Sequence, residues 1–264
     1  KSANAGLAIE KLNQLKTLEP SNTAIDKKLA EIYYLKNDFS KAADAYSRFA
    51  MGPTANEEDL VKYAFALFLN HDFAKSLEVA NMGLKKNPRH AAFNRLAMYN
   101  NTDLKRFEEA LKAADVFFNE CDKADYSYLD YMYYGHLLEE LKKYDEAVGQ
   151  YEKAVELDPT KTDLYKNISS AYEQKNDYKK AIGAYHKYYS SLEKEKQTPD
   201  LQFQLGRLYY GAGTQLDSLT INAEERKQAL MSADSVFQVI SEAAPDSYLG
   251  NFWRARANSA LDPE

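Results

Sequence analysis

Apolar residues return every three or four positions over short stretches, with polar and charged residues between them. That spacing puts the apolar side chains on one face, so each stretch is predicted to be an amphipathic helix. The stretches come in pairs, a helix A followed by a helix B. The clearest pair is YLDYMYYGHLLEEL, residues 128–141, and YDEAVGQYEKAVEL, residues 144–157. Lys142 and Lys143 make the turn between them. Asp158-Pro159 ends the second helix, because proline disfavours helical backbone at the residue before it.

The pairs repeat. Small residues stand at Ala8, Ala42, Ser76, Ala110, Ala147, Ala181 and Ala233, the first four 34 residues apart. A bulky residue follows four positions later at Leu12, Tyr46, Tyr151, Tyr185 and Phe237, and prolines close units at Pro20, Pro53, Pro88, Pro159 and Pro245. Gly135 on helix A and Ala147 on helix B allow close approach, and Tyr144, Tyr151 and Ala154 fill the space around it. A period of this size predicts an all-α stack of antiparallel helix pairs, each unit touching its neighbours.

These residues resemble the tetratricopeptide repeat, the 34-residue helix–turn–helix family. Counting from Tyr128, Gly135 stands at the family's small position eight, Tyr144 at seventeen and Ala147 at twenty. Tyr151, Ala154 and Pro159 occupy twenty-four, twenty-seven and thirty-two. The resemblance implies one right-handed solenoid over residues 1–264. Its units are a half-repeat at 5–20, repeats at about 23–56, 57–90, 91–127, 128–161, 162–198 and 199–247, and a terminal half-repeat at 248–261. The aromatic at seventeen recurs as Phe39, Phe73, Phe107 and Tyr178.

Departures mark specific places. Met98 and Asn101 replace a small residue and an aromatic, and the loop 119–127 is three residues too long. The fifth B helix is expected to run through SSLEKEK to about Lys196. GAGTQLDSLTI, residues 211–221, reads as a loop, within an insertion over 211–225. Asn222 with Glu225 reads as a capping box opening a helix from about Ala223 to Ala244.

A formal charge of −6 argues against a general nucleic-acid binder, which needs a basic stripe. Cys121 is the single cysteine, so no internal disulfide forms. No apolar run is long enough to span a membrane. The chain opens on Lys1 partway through a repeat, as expected of a processed or trimmed product, and overall resemblance leans toward an exported bacterial protein. No phosphate loop and no H-E-x-x-H helix is present. His136 with Glu139, Glu140, Asp163 and Asn167 makes a weak metal candidate, set against a solvated polar groove. The expectation is no enzyme, no cofactor and no metal.

In the family the A helices line the inner groove, and the resemblance carries its groove positions onto this chain. Lys27, Lys28, Glu31 and Tyr34 come first, then Lys62, Phe65 and Phe68, then Arg95, Leu96 and Tyr99. Met132, Tyr133, His136, Glu139 and Glu140 follow, then Asp163, Lys166, Asn167, Ser170 and Glu173. Phe203, Gln204, Arg207 and Tyr210 precede Phe252, Trp253 and Arg256. The first units read as basic and aromatic, suited to a peptide with an acidic end, and the middle as acidic. The aromatics either anchor a partner or cover gaps between repeats. The family's carboxylate clamp is not matched, because Glu31, Lys62, Ala92 and Leu96 stand at its positions.

The expected function is a non-enzymatic scaffold that binds a protein or peptide along this groove. The rivals are a structural module of a cell-envelope assembly that uses its ends, where an exposed Trp253 would be sticky, and the regulatory array of an enzyme.

Overall fold

The computed structural model describes residues 2–52, 54–121, 125–215 and 221–262. Pro53 and parts of the expected loops at 119–127 and 211–221 lie outside the described residues. The described residues form fourteen α-helices. Tertiary contacts divide the chain into two compact units, Lys1–Tyr126 and Ser127–Glu264.

In the first unit α1 (Ser2–Leu18) stands alone as a B-type helix. Three pairs follow: α2 (Thr23–Leu35) with α3 (Phe39–Ala50), α4 (Glu57–Leu69) with α5 (Phe73–Lys86), and α6 (Ala91–Asp103) with α7 (Phe107–Asp115). The helix α7 runs into a π-helical turn at Val116–Glu120, which takes up part of the long loop. The second unit pairs α8 (Tyr128–Glu140) with α9 (Tyr144–Leu157), α10 (Leu164–Gln174) with α11 (Tyr178–Ser191), and α12 (Pro199–Thr214) with α13 (Ala223–Ala243). The single helix α14 (Tyr248–Leu261) follows.

Each pair closes on the same contact. Small residues stand there: Ala30, Ala42 and Ala147 are wholly buried, and a Cβ on Gly135 would strike the Tyr151 ring. Where one is serine, its hydroxyl donates across the gap. Ser76 Oγ donates to Ala64 O and Ser169 Oγ to Ala181 O, both at 2.8 Å. A buried hydroxyl is thereby satisfied without widening the contact. The large side chain four residues on packs over it: Tyr46, Tyr151, Tyr185 and Phe237 are all essentially buried.

Two expectations need correction. The helix α11 stops at Ser191 instead of reaching Lys196. Leu192 is extended and its N–H donates to Tyr189 O, and Gln197 Nε2 donates to Tyr189 O and Leu192 O at 3.3 and 3.1 Å. Residues Lys194–Lys196 form a short 3-10 turn. The glycines after Tyr210 are helical, not loop. A Cβ at Gly211 or Gly213 would collide with Tyr178 or Leu230, so these glycines permit helix packing rather than a turn. The insertion is therefore spent partly on a longer α12 and on α13, which at 21 residues outruns every other helix described. The capping box at Asn222 and Glu225 forms as expected, with both bonds at 2.9 Å.

Candidate protein-binding face

The A helices of successive pairs touch through residues about one repeat apart. In the first unit Lys27 Nζ meets Asp59 at 2.7 Å, and Phe68 packs on Tyr99 with centroids 5.4 Å apart. Between α2 and α4 lies a cleft of about 470 Å³ lined by Glu31, Tyr34, Leu35, Tyr46, Val61, Lys62 and Phe65. Four of these, Glu31, Tyr34, Lys62 and Phe65, are positions the sequence assigned to the groove. They come from two helices and converge on one cavity.

In the second unit the contacts are polar. Asn167 Nδ2 lies 3.4 Å from His136 Nε2, Ser170 Oγ donates to Glu139 at 3.2 Å, and Gln204 Nε2 donates to Glu173 at 3.4 Å. Arg207 stands 4.0 Å from Glu173. A second cleft of about 420 Å³ is lined by Lys166, Ser170, Glu173 and Gln204, with Ser169, Tyr185, Asp200 and Leu201. His136 is thus tied to Asn167, and Glu139 to Ser170 and Tyr151. Among the described residues no group of three or more His, Cys, Asp or Glu is arranged to hold a metal.

Several assigned positions are packing residues instead. Phe68, Leu96 and Tyr99 are buried, at 8%, 0% and 1% exposure. Phe68 and Tyr99 cover each other, and at this burial the three present no face to a partner. Phe203 and Tyr210 stack edge-on to Trp253 at 5.8 and 5.3 Å. Trp253 also lies over Phe237 and under the Arg256 guanidinium, 4.7 Å from its ring. It is half-buried rather than a bare edge, and the exposed aromatics of α14 are Tyr248 and Phe252. Arg95 sits over the Phe117 ring at 5.0 Å. Met132 packs against the core cluster around Tyr151. Tyr133 and Lys166 remain partly or fully open.

The basic character read into the first units is largely neutralised. Lys28 pairs with Glu31 at 2.9 Å and Lys62 with Glu58 at 2.8 Å. The Glu58 hydrogen bond raises the Lys62 pKa above its ordinary value, keeping it charged and committed. An acidic peptide end would have to displace these carboxylates.

A tetratricopeptide-repeat family model matches residues 129–161, the span of α8 and α9. The same helix-pair geometry recurs through both units. Residues 129–161 are thus a tetratricopeptide repeat, and the chain has a tetratricopeptide-repeat fold. No curated protein matches it in sequence. Among solved structures it is similar to the C-terminal part of a TPR repeat-containing protein from Cytophaga hutchinsonii. That match has 28% identity and a TM-score of 0.58, and covers 77% of this chain and 72% of that one. A tetratricopeptide repeat protein from Parabacteroides merdae matches over 97% of this chain and 93% of its own, with TM-score 0.59 and 17% identity. The MamA fragment from Desulfovibrio magneticus matches 67% of this chain and 97% of its own, with TM-score 0.57 and 18% identity. The last two likenesses are of fold alone.

In this repeat fold the tyrosines at the twenty-fourth position reach toward the A-helix face from behind. Tyr151 Oη donates to Glu139 Oε2 at 2.7 Å, and Tyr185 Oη to Leu201 O at 3.0 Å. Burial pushes the phenol pKa of Tyr46, Tyr151 and Tyr185 well above the usual range, so all three stay protonated donors. Sequence reasoning placed these rings in the core but missed where their hydroxyls end. It also missed the serine bridges, although serine at a position that otherwise takes alanine was the available signal. No described helix is long and apolar enough to cross a membrane.

Proposed function

We propose that this chain is a non-enzymatic scaffold whose A-helix face binds a peptide segment of a partner protein. Proteins of this repeat family generally serve as protein-interaction scaffolds. The observation that carries the reading here is the cleft between α2 and α4. It brings Tyr34, Val61 and Phe65 together as an open apolar wall, with Glu31 and Lys62 beside it. Apolar surface that stays open, rimmed by charge, is the composition of a peptide anchor site.

Photo-crosslinking in the native cell tests this. A photoreactive residue at Phe65 should capture a defined partner, and one at Asn81, exposed on α5, should not. Capture at Asn81 with none at Phe65 would contradict the proposal.

A second reading has its own observation. Tyr248 and Phe252 on α14 are 77% and 48% exposed, and Leu7 on α1 is 56% exposed. A module that associates through its ends would use these side chains. Crosslinks from Phe252 and none from Phe65 would favour it.

A further inference from the structure

Tyr46 forms part of the cleft between α2 and α4, yet it is only 1% exposed. Its counterparts Tyr151 and Tyr185 each donate to a protein acceptor. Tyr34 stands where the acceptor of Tyr151, Glu139, stands in its own repeat. Among the described residues no group accepts from Tyr46 Oη. The hydroxyl is not sealed from solvent: it opens on the cleft, where a ligand atom could take the place of water as its acceptor.

The surroundings select the acceptor. Burial first, and then the charges of Glu31, Asp59 and Glu58, hold the phenol proton in place. The nearby ammonium groups are engaged: Lys27 with Asp59, Lys28 with Glu31 and Lys62 with Glu58, at 2.7, 2.9 and 2.8 Å. A carboxylate brought to Tyr46 would lose its water beside Glu31, Asp59 and Glu58 and find the lysines of these three pairs already engaged. A neutral carbonyl would meet no such penalty. Beside the hydroxyl, Tyr34, Val61 and Phe65 supply apolar walls, and Leu35, 83% exposed, stands at the lip.

We propose that the cleft holds one apolar side chain of an extended peptide, with an adjoining main-chain carbonyl accepting a hydrogen bond from Tyr46 Oη. This rests on the peptide-binding reading of the A-helix face and names what one part of it recognises.

Two probes added to the full chain and followed by amide NMR test it: N-acetyl-leucine N-methylamide, which is neutral, and N-acetyl-leucine, which carries a carboxylate. The neutral probe should shift Tyr34, Val61 and Phe65 and bind more tightly than the acid. Tyr46→Phe removes only the hydroxyl and should lower affinity for the neutral probe about two- to tenfold, with an unchanged melting temperature. Equal binding of the neutral probe by Tyr46→Phe, tighter binding of the acid, or no shift at these residues would each overturn the proposal. If crosslinking from Phe65 persists, such a result removes the Tyr46 subsite alone. Loss of both removes the peptide-binding reading as well.

Discussion

At the scale of single residues, the fold depends on what two facing helices place at their closest approach. Gly135 is required there because a Cβ would lie 2.6 Å from the Tyr151 ring. Gly135→Ala should therefore cost about 1–3 kcal/mol through overpacking, read as a lower urea midpoint. Tyr151→Leu in the same chain should recover part of that loss. Tyr99 behaves as core. Tyr99→Ala should cost about 3–5 kcal/mol, and a near-neutral result would mean that the ring is not packed as described. The burial of Tyr99 and Phe68 was not legible in the sequence. Helical periodicity assigns a face, but which part of that face the next A helix covers depends on contacts one repeat away. Glu31, Tyr34, Lys62 and Phe65, which the sequence assigns to the groove, line one cleft where the neighbouring helix leaves space.

At the scale of elements, the starts of the B helices were readable to the residue, whereas the ends of α11 and α12 were not. Aromatic residues open the B helices at Phe39, Phe73, Phe107, Tyr144 and Tyr178, as the repeat spacing predicts. The turn chemistry was not read. Asn37, His71, Lys105, Lys142 and Asn176 occupy one position of five repeats, and all have φ near 60°. Asparagine adopts this left-handed backbone readily, but lysine does so at a cost of about 1–2 kcal/mol. Lys142→Gly should therefore be neutral to stabilising, while Lys142→Val should destabilise, because a β-branched residue fits there poorly. The next residue caps the B helix where it is Asp. Asp38, Asp72 and Asp177 accept from the backbone N–H three residues on, each at 3.3 Å. Lys143 has nearly the same backbone angles but makes no side-chain cap. Lys143→Asn should add about 0.5–2 kcal/mol, measured by thermal or urea unfolding. No gain would indicate that the N–H groups opening α9 are already satisfied. The end of α11 escaped sequence reasoning for a similar reason. It is set by Gln197 folding back on carbonyls, and no local pattern announces that.

At the scale of the whole molecule, buried tyrosines couple stability to pH in a direction that can be stated. Tyr46, Tyr151 and Tyr185 keep their protons when folded, because burial raises their pKa above the ordinary 10.0. The unfolded chain binds fewer protons above that value, so stability falls as pH rises through it. The urea midpoint should be nearly flat between about pH 7 and 9 and drop beyond about pH 10. A midpoint that held at about pH 11 would contradict this. Acid has the opposite sign for the caps. Thr160 holds Asp158 below its ordinary value through its side-chain hydrogen bond, and Lys41 and Asn222 do the same for Asp38 and Glu225. Their small stabilisation is present above the unfolded carboxylate value and is lost as pH falls below about 4.

The central claim is that the A-helix face, which Tyr46 reaches from α3, and not the outer face of the B helices or the ends, meets the partner. Hydrogen–deuterium exchange on the chain, alone and with the partner captured from Phe65, tests it most directly. Slower exchange in α2 and α4, with α5, α1 and α14 unchanged, is the predicted result. Protection confined to the B helices, or to α1 and α14, would contradict it.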